Sequence, residues 1–173
     1  MRPISGSYSD GIPLERRWKF ATDMIQYLPL IYENAFRKHV GFEYDALERE
    51  CFADLAIMGS LLAEEYYLPV DSARSLGWSM WVIMLSLFGP DFENEILEAT
   101  DERVVMRMTR CPIMKMAENA GFEVEHSCNT CKAFNKTLLR ELNPGYSLRY
   151  SHGMCWGDEY CEIILESRDS LQL

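Results

Sequence analysis

Lysine and arginine are scarce in this chain: 17 of them stand against 27 aspartates and glutamates, for a formal net charge of -10 over 173 residues. That balance argues against nucleic acid, whose binding depends on cations neutralising phosphates, and against an anionic membrane surface. Histidine is rarer still, at three. No long hydrophobic run exists. The longest, "GWSMWVIMLSLFG" from Gly77 to Gly89, falls short of the roughly 20 residues a membrane span needs and is interrupted by two serines. It reads as a buried helix. The opening "MRPISGSYSDGIPLERR" lacks the apolar centre of a secretion signal, and its Ser, Gly and Pro predict a flexible arm over residues 1–13. The expectation is a cytoplasmic protein. Internal repeats and low-complexity segments are missing too.

What remains is globular in composition, with 48% hydrophobic and 25% charged residues. The length suits one domain, here residues 14–173. Its first part, 14–90, reads as helices. Trp18, Ala21, Met24 and Leu28 recur at helical spacing until Pro29, which should kink or end the stretch. Leu47, Cys51, Leu55, Met58 and Leu62 form a second stripe ending near Pro69. Asp71 suits the N-cap of a third helix that stops at Gly89-Pro90. The four tryptophans, Trp18, Trp78, Trp81 and Trp156, suit core positions better than a ligand cage.

Residues 91–173 change character. "NEILEAT" and "RVVMRMTRC" flank one turn, and "YSLRYSHGMC" and "YCEIILES" flank another at Gly157-Asp158-Glu159, predicting two β-hairpins. Between them Pro112 can open a short helix stopped by Gly121, and a longer helix should run from about Cys128 to Leu142. The fold class expected is α+β, with a helical N-terminal layer packed on a C-terminal antiparallel sheet of about four strands.

The chemistry concentrates in six cysteines. "HSCNTC" places His126, Cys128 and Cys131 around a helix start, and Cys111 before Pro112 can add a third sulfur. Thiolate and imidazole are ligands that tetrahedral zinc prefers, so zinc or iron is a candidate cofactor. Cys155 and Cys161 form a second candidate metal pair, because opposed strand residues across a hairpin bring Cβ atoms to roughly 4.5–5.5 Å. A reducing compartment disfavours a bridge between them. Core packing is the alternative for each cysteine, most clearly for Cys51 within its helical stripe. On the sheet, Arg107, Thr109 and Cys111 alternate onto one face, as do Ser147, Arg149 and Ser151. Arg107 and Arg149 are candidates to clamp a substrate carboxylate, although a solvated face is the plainer reading.

The run of Cys111-Pro112 closing a strand, a cysteine-bearing helix start, "LNPGYSLRY", and Gly157-Asp158 with Cys161 opening a last strand resembles the L-2-amino-thiazoline-4-carboxylic acid hydrolase family. The final hairpin also resembles the end of the four-vinyl-reductase ligand-binding domain. The first resemblance implies hydrolysis of a small cyclic amidine-like C=N bond, for which Cys111 or Cys128 as thiolate and His126 as base are chemical candidates. The second implies a sensor that binds a small molecule or metal through Cys155 and Cys161. A small-molecule ligand or substrate is expected either way, and a homo-oligomer joined by Trp-rich helices is a third possibility.

Overall fold

Why the chain divides into a helical half and a sheet half is visible in its computed structural model, which describes residues 11–122 and 127–169. Helix α1 spans Leu14–Val40, a 3-10 turn covers Gly41–Glu43, and α2 (Tyr44–Glu65) and α3 (Ala73–Phe88) follow. Strands β1 (Glu93–Ala99) and β2 (Arg103–Arg110) lead into α4 (Pro112–Ala120) and α5 (Ser127–Leu142). Strand β3 (Tyr146–His152), a 3-10 turn at Met154–Trp156 and β4 (Cys161–Ser167) complete the order. The four strands form one antiparallel sheet in the order β1-β2-β4-β3. The α+β architecture is the one the sequence predicts. No described helix is long and apolar enough to cross a membrane.

Alternation decides which sheet face is covered, since successive side chains point to opposite sides of a strand. Val104, Met106 and Met108 of β2, Leu148 of β3, and Ile163 and Leu165 of β4 share the inner face and join the core. Helices α2, α3 and α5 supply the rest, including the fully enclosed Leu76, Ile83 and Leu138. Gly59 lets α2 sit close here: a Cβ at that position would come within 3.1 Å of Ile83 Cγ2. Phe88 and Phe134 meet edge to face, 5.1 Å between centroids.

Local signals set the helix ends. Ser72, not Asp71, is the N-cap of α3; it forms a capping box with Ser75, and Asp71 accepts a 2.9 Å hydrogen bond from the Ser75 hydroxyl. Gly121 closes α4 in the left-handed region, with φ 70°. Pro29 neither ends nor divides α1, which runs 27 residues through it.

The stripes behave differently from expectation in α1 and α2. In α1 the buried residues are Thr22, Gln26, Leu30 and Glu33, so the stripe through Met24 and Leu28 faces outward. Polar anchors explain how a largely polar face can pack inward: Thr22 donates to Lys19 O at 2.9 Å, and Gln26 donates to Phe88 O. In α2, Leu47 and Met58 are exposed. Cys51 is exposed as well, not a core residue. Of the tryptophans, Trp81 packs against the core while Trp18, Trp78 and Trp156 remain exposed.

Candidate functional site

Five of the six cysteines line one pocket: Cys111, Cys128, Cys131, Cys155 and Cys161. It encloses about 60 Å³ between α5, the end of β2, the start of α4 and the β3–β4 connection. Four segments meet there for local reasons. Cys111 is the extended N-cap residue before Pro112, where the strand must yield to a helix. Cys128 and Cys131 occupy the first turns of α5. Cys155 sits in the 3-10 turn, and Cys161 opens β4 on its inward face.

The turn changes one expectation. Cys155 and Cys161 do not oppose each other as strand partners, because β3 has already ended at His152, which pairs with Glu162. Instead Cys155 is disulfide-bonded to Cys128, with Cα atoms 5.8 Å apart. Cys155 and Cys161 are indeed not bridged to each other, but the reducing-compartment argument that disfavoured a bridge at Cys155 is corrected by its bond to Cys128. The Cys161 sulfur accepts a 3.3 Å hydrogen bond from Met154 N. Gly157, at φ 94°, ends the 3-10 turn, and Asp158 accepts from Gly153 N at 2.8 Å. Gly153 is also sterically required, since a Cβ there would lie 2.8 Å from the Trp156 ring.

Burial dominates the electrostatics. It pushes the Cys111 thiol up to about 12, opposed by the backbone amide of Met114 and reinforced by neighbouring Cys131 and Cys161. Cys131 and Cys161 are raised for the same leading reason. Thiols held this high remain protonated at neutral pH and are weak nucleophiles without a base.

Two residues that sequence reasoning left unassigned give the pocket its polar edge. Asn135 donates to the Tyr150 hydroxyl at 2.9 Å and to Cys131 O at 3.0 Å, and the Cys131 sulfur lies 3.6 Å from the same hydroxyl. Burial holds the Tyr150 phenol well above its ordinary value. Their sequence signal was present: Tyr150 shares the inward register of Leu148, and Asn135 lies one helical turn beyond Cys131. At the rim, Lys132 Nζ sits 3.8 Å over the Trp156 ring.

The other candidates fall elsewhere. Arg107 and Arg149 point from the outer face of the sheet, across from the pocket. Arg107 pairs with Glu162 at 3.2 Å and stacks 4.2 Å over Tyr160, and Arg149 pairs with Glu166 at 3.1 Å. Ser151 donates to Glu162 at 2.7 Å, and this bond with the Arg107 pairing lowers the Glu162 carboxyl. His126 lies outside the described residues. Among the described residues, no three His, Cys, Asp or Glu side chains are placed to hold a metal ion. The Cys128–Cys155 bond withholds two of the candidate sulfurs from any ligand set while it is intact.

A four-stranded antiparallel sheet, helices over one face and a small cysteine-lined pocket at the sheet end define a compact α+β protein. The chain belongs to the L-2-amino-thiazoline-4-carboxylic acid hydrolase family, whose model matches residues 30–165. That span includes all five pocket cysteines. No curated protein matches the chain.

Proposed function

We propose that this protein hydrolyses a small cyclic amidine-type C=N bond inside the cysteine-lined pocket. The observation supporting this reading is the polar edge of an otherwise apolar cavity, where the Tyr150 hydroxyl, the Asn135 amide and the Cys131 sulfur converge. Family membership supports the substrate class. In such a reaction water adds to the C=N carbon, and the tetrahedral adduct collapses with cleavage of the ring carbon–sulfur bond. The hydroxyl proton passes to the departing sulfur, leaving a thiol and an N-carbamoyl group. A phenol that stays protonated suits donation to the ring nitrogen as water adds, taking back the proton that the attacking water releases. Asn135 orients that phenol. Cys111 would serve as nucleophile only with a base, the role for which His126 is the candidate. Cys128 is excluded as a free thiolate while bonded to Cys155.

The test is to offer cyclic amidine and thiazoline carboxylates to oxidised and reduced protein and follow thiol release. Tyr150→Phe is expected to lose roughly 10²–10⁴-fold in rate, the usual contribution of a positioned acid or base. Absence of turnover by the unaltered chain in both redox states would remove the proposal, as would full activity in both Tyr150→Phe and Cys111→Ser.

The second reading, a sensor of the four-vinyl-reductase type, is favoured by the disulfide lying among three free thiols on one cavity. Metal binding in this reading requires reduction, which releases Cys128 and Cys155 to join the other sulfurs. Elemental analysis of reduced, dialysed protein tests it: stoichiometric zinc or iron supports it, and metal-free protein opposes it.

A further inference from the structure

Helix α1 places its apolar stripe on the side away from the core. Leu14, Arg17, Ala21, Met24, Leu28, Ile31 and Ala35 follow one another at alternating three- and four-residue steps, the spacing that forms the seam between two coiled helices. The inward positions are instead Thr22, Gln26, Leu30 and Glu33. Along the outward side Phe20 is 66% exposed, Leu28 42%, and Tyr32 and Phe36 each 50%. A solvated helix carries charge on that side. Of the seven positions in this stripe only Arg17 is charged, and its Nε donates to Ile12 O at 2.8 Å within the same chain.

We propose that the outward face of α1 binds the same face of a second copy of this chain, antiparallel, about a two-fold axis passing near Leu28. The face reads alike in both directions from that residue. An axis there sets Ala21 of one copy against Ala35 of the other, Met24 against Tyr32, and Ile25 against Ile31. The paired alanines let the helices approach closely at two symmetric points, which is the self-complementarity a two-fold interface demands. At 27 residues α1 is about 40 Å long, enough to carry such a seam. Its exposed apolar side chains amount to on the order of 500 Å² per copy, near the upper limit for a monomer's largest patch. A standard interface takes roughly 800 Å² from each partner.

The test is the mass of the full chain in solution across tens of micromolar, by sedimentation equilibrium. The expected value is twice the 20.1 kDa chain mass. Leu28→Glu combined with Ile31→Glu should return it to the single-chain mass with an unchanged circular dichroism spectrum, both positions being exposed. Met58→Glu, on the exposed side of α2, should leave the dimer intact. In a Cys51→Ser background, Leu28→Cys should cross-link to its own counterpart on mild oxidation, whereas Leu14→Cys should not, because it lies far from the axis. A monomeric chain would overturn the proposal, as would a dimer that survives the paired glutamates. So would a single-chain species that floats with phosphatidylcholine vesicles, which would make the face lipid-binding.

Discussion

Cys128 and Cys155 are bonded across 27 residues of chain, fastening the first turn of α5 to the 3-10 turn between β3 and β4. The bond thus joins two walls of the pocket. Closing a loop of this length restricts the unfolded chain, at about 3.5 kcal/mol in the entropy model. Cys128→Ser/Cys155→Ser protein should unfold at lower urea than the parent without reductant. The two midpoints should converge once dithiothreitol is added; an equal midpoint under both conditions would show that the bond contributes nothing.

Cys111 offers a pH signature. Burial raises its folded thiol to about 12 from 9.0, so the folded state holds its proton where the unfolded chain has lost it. Stability from this group is complete below about pH 9 and declines as pH rises toward 12. Urea midpoints should fall across that window, and Cys111→Ala should flatten the decline. Native Cys111 should also resist iodoacetamide at pH 8, while exposed Cys51 reacts.

Glu48 gives a second pH effect in a lower range. Burial first, then the neighbouring Glu33, raises its carboxyl to about 7 from 4.5, with Arg37 opposing. Its contribution is present below pH 4.5 and is lost as pH rises through 7. Glu48→Gln should stabilise the protein at pH 8 by about 1–3 kcal/mol relative to the parent, and by much less at pH 5. Paired urea titrations at the two values measure the difference.

Arg149 tests the separation of the two sheet faces. It is more than half exposed and pairs with Glu166 across from the pocket. Arg149→Ala should change stability by no more than about 1 kcal/mol, as for other surface ion pairs, and should leave any ring-opening rate unaltered. A large loss of rate would return the arginine to a role in substrate binding.

Strand alternation and glycine or proline punctuation made the fold legible. The hairpin of β1 and β2, the start of α4 at Pro112 and its stop at Gly121 follow directly from residue types. The orientation of α1 did not, because periodicity reports that an apolar stripe exists and not which side the rest of the molecule occupies. Gln26 and Thr22 reach backbone carbonyls, so the polar side could turn inward. At the site, the cysteines of "HSCNTC" and of the last hairpin were identifiable as reactive groups, but their partners were not. Cys155 meets Cys128 only because Gly153 and Gly157 bend the chain into a 3-10 turn where a regular hairpin would have set Cys155 against Cys161. Tyr150 and Asn135 were overlooked because neither residue type announces chemistry until a fold brings them together.

The strand order β1-β2-β4-β3 has a consequence for biosynthesis. β4, the last of the described strands to be made, occupies an interior place between β2 and β3, so neither neighbour finds its sheet partner there until synthesis has passed Ser167. β3 must wait unpaired, and Cys161 arrives at the pocket last of the five cysteines. Closure of the sheet and completion of the pocket are therefore late, shared events. A nascent chain stopped before Cys161 would keep the first hairpin but lack the strand that joins it to the second half of the sheet.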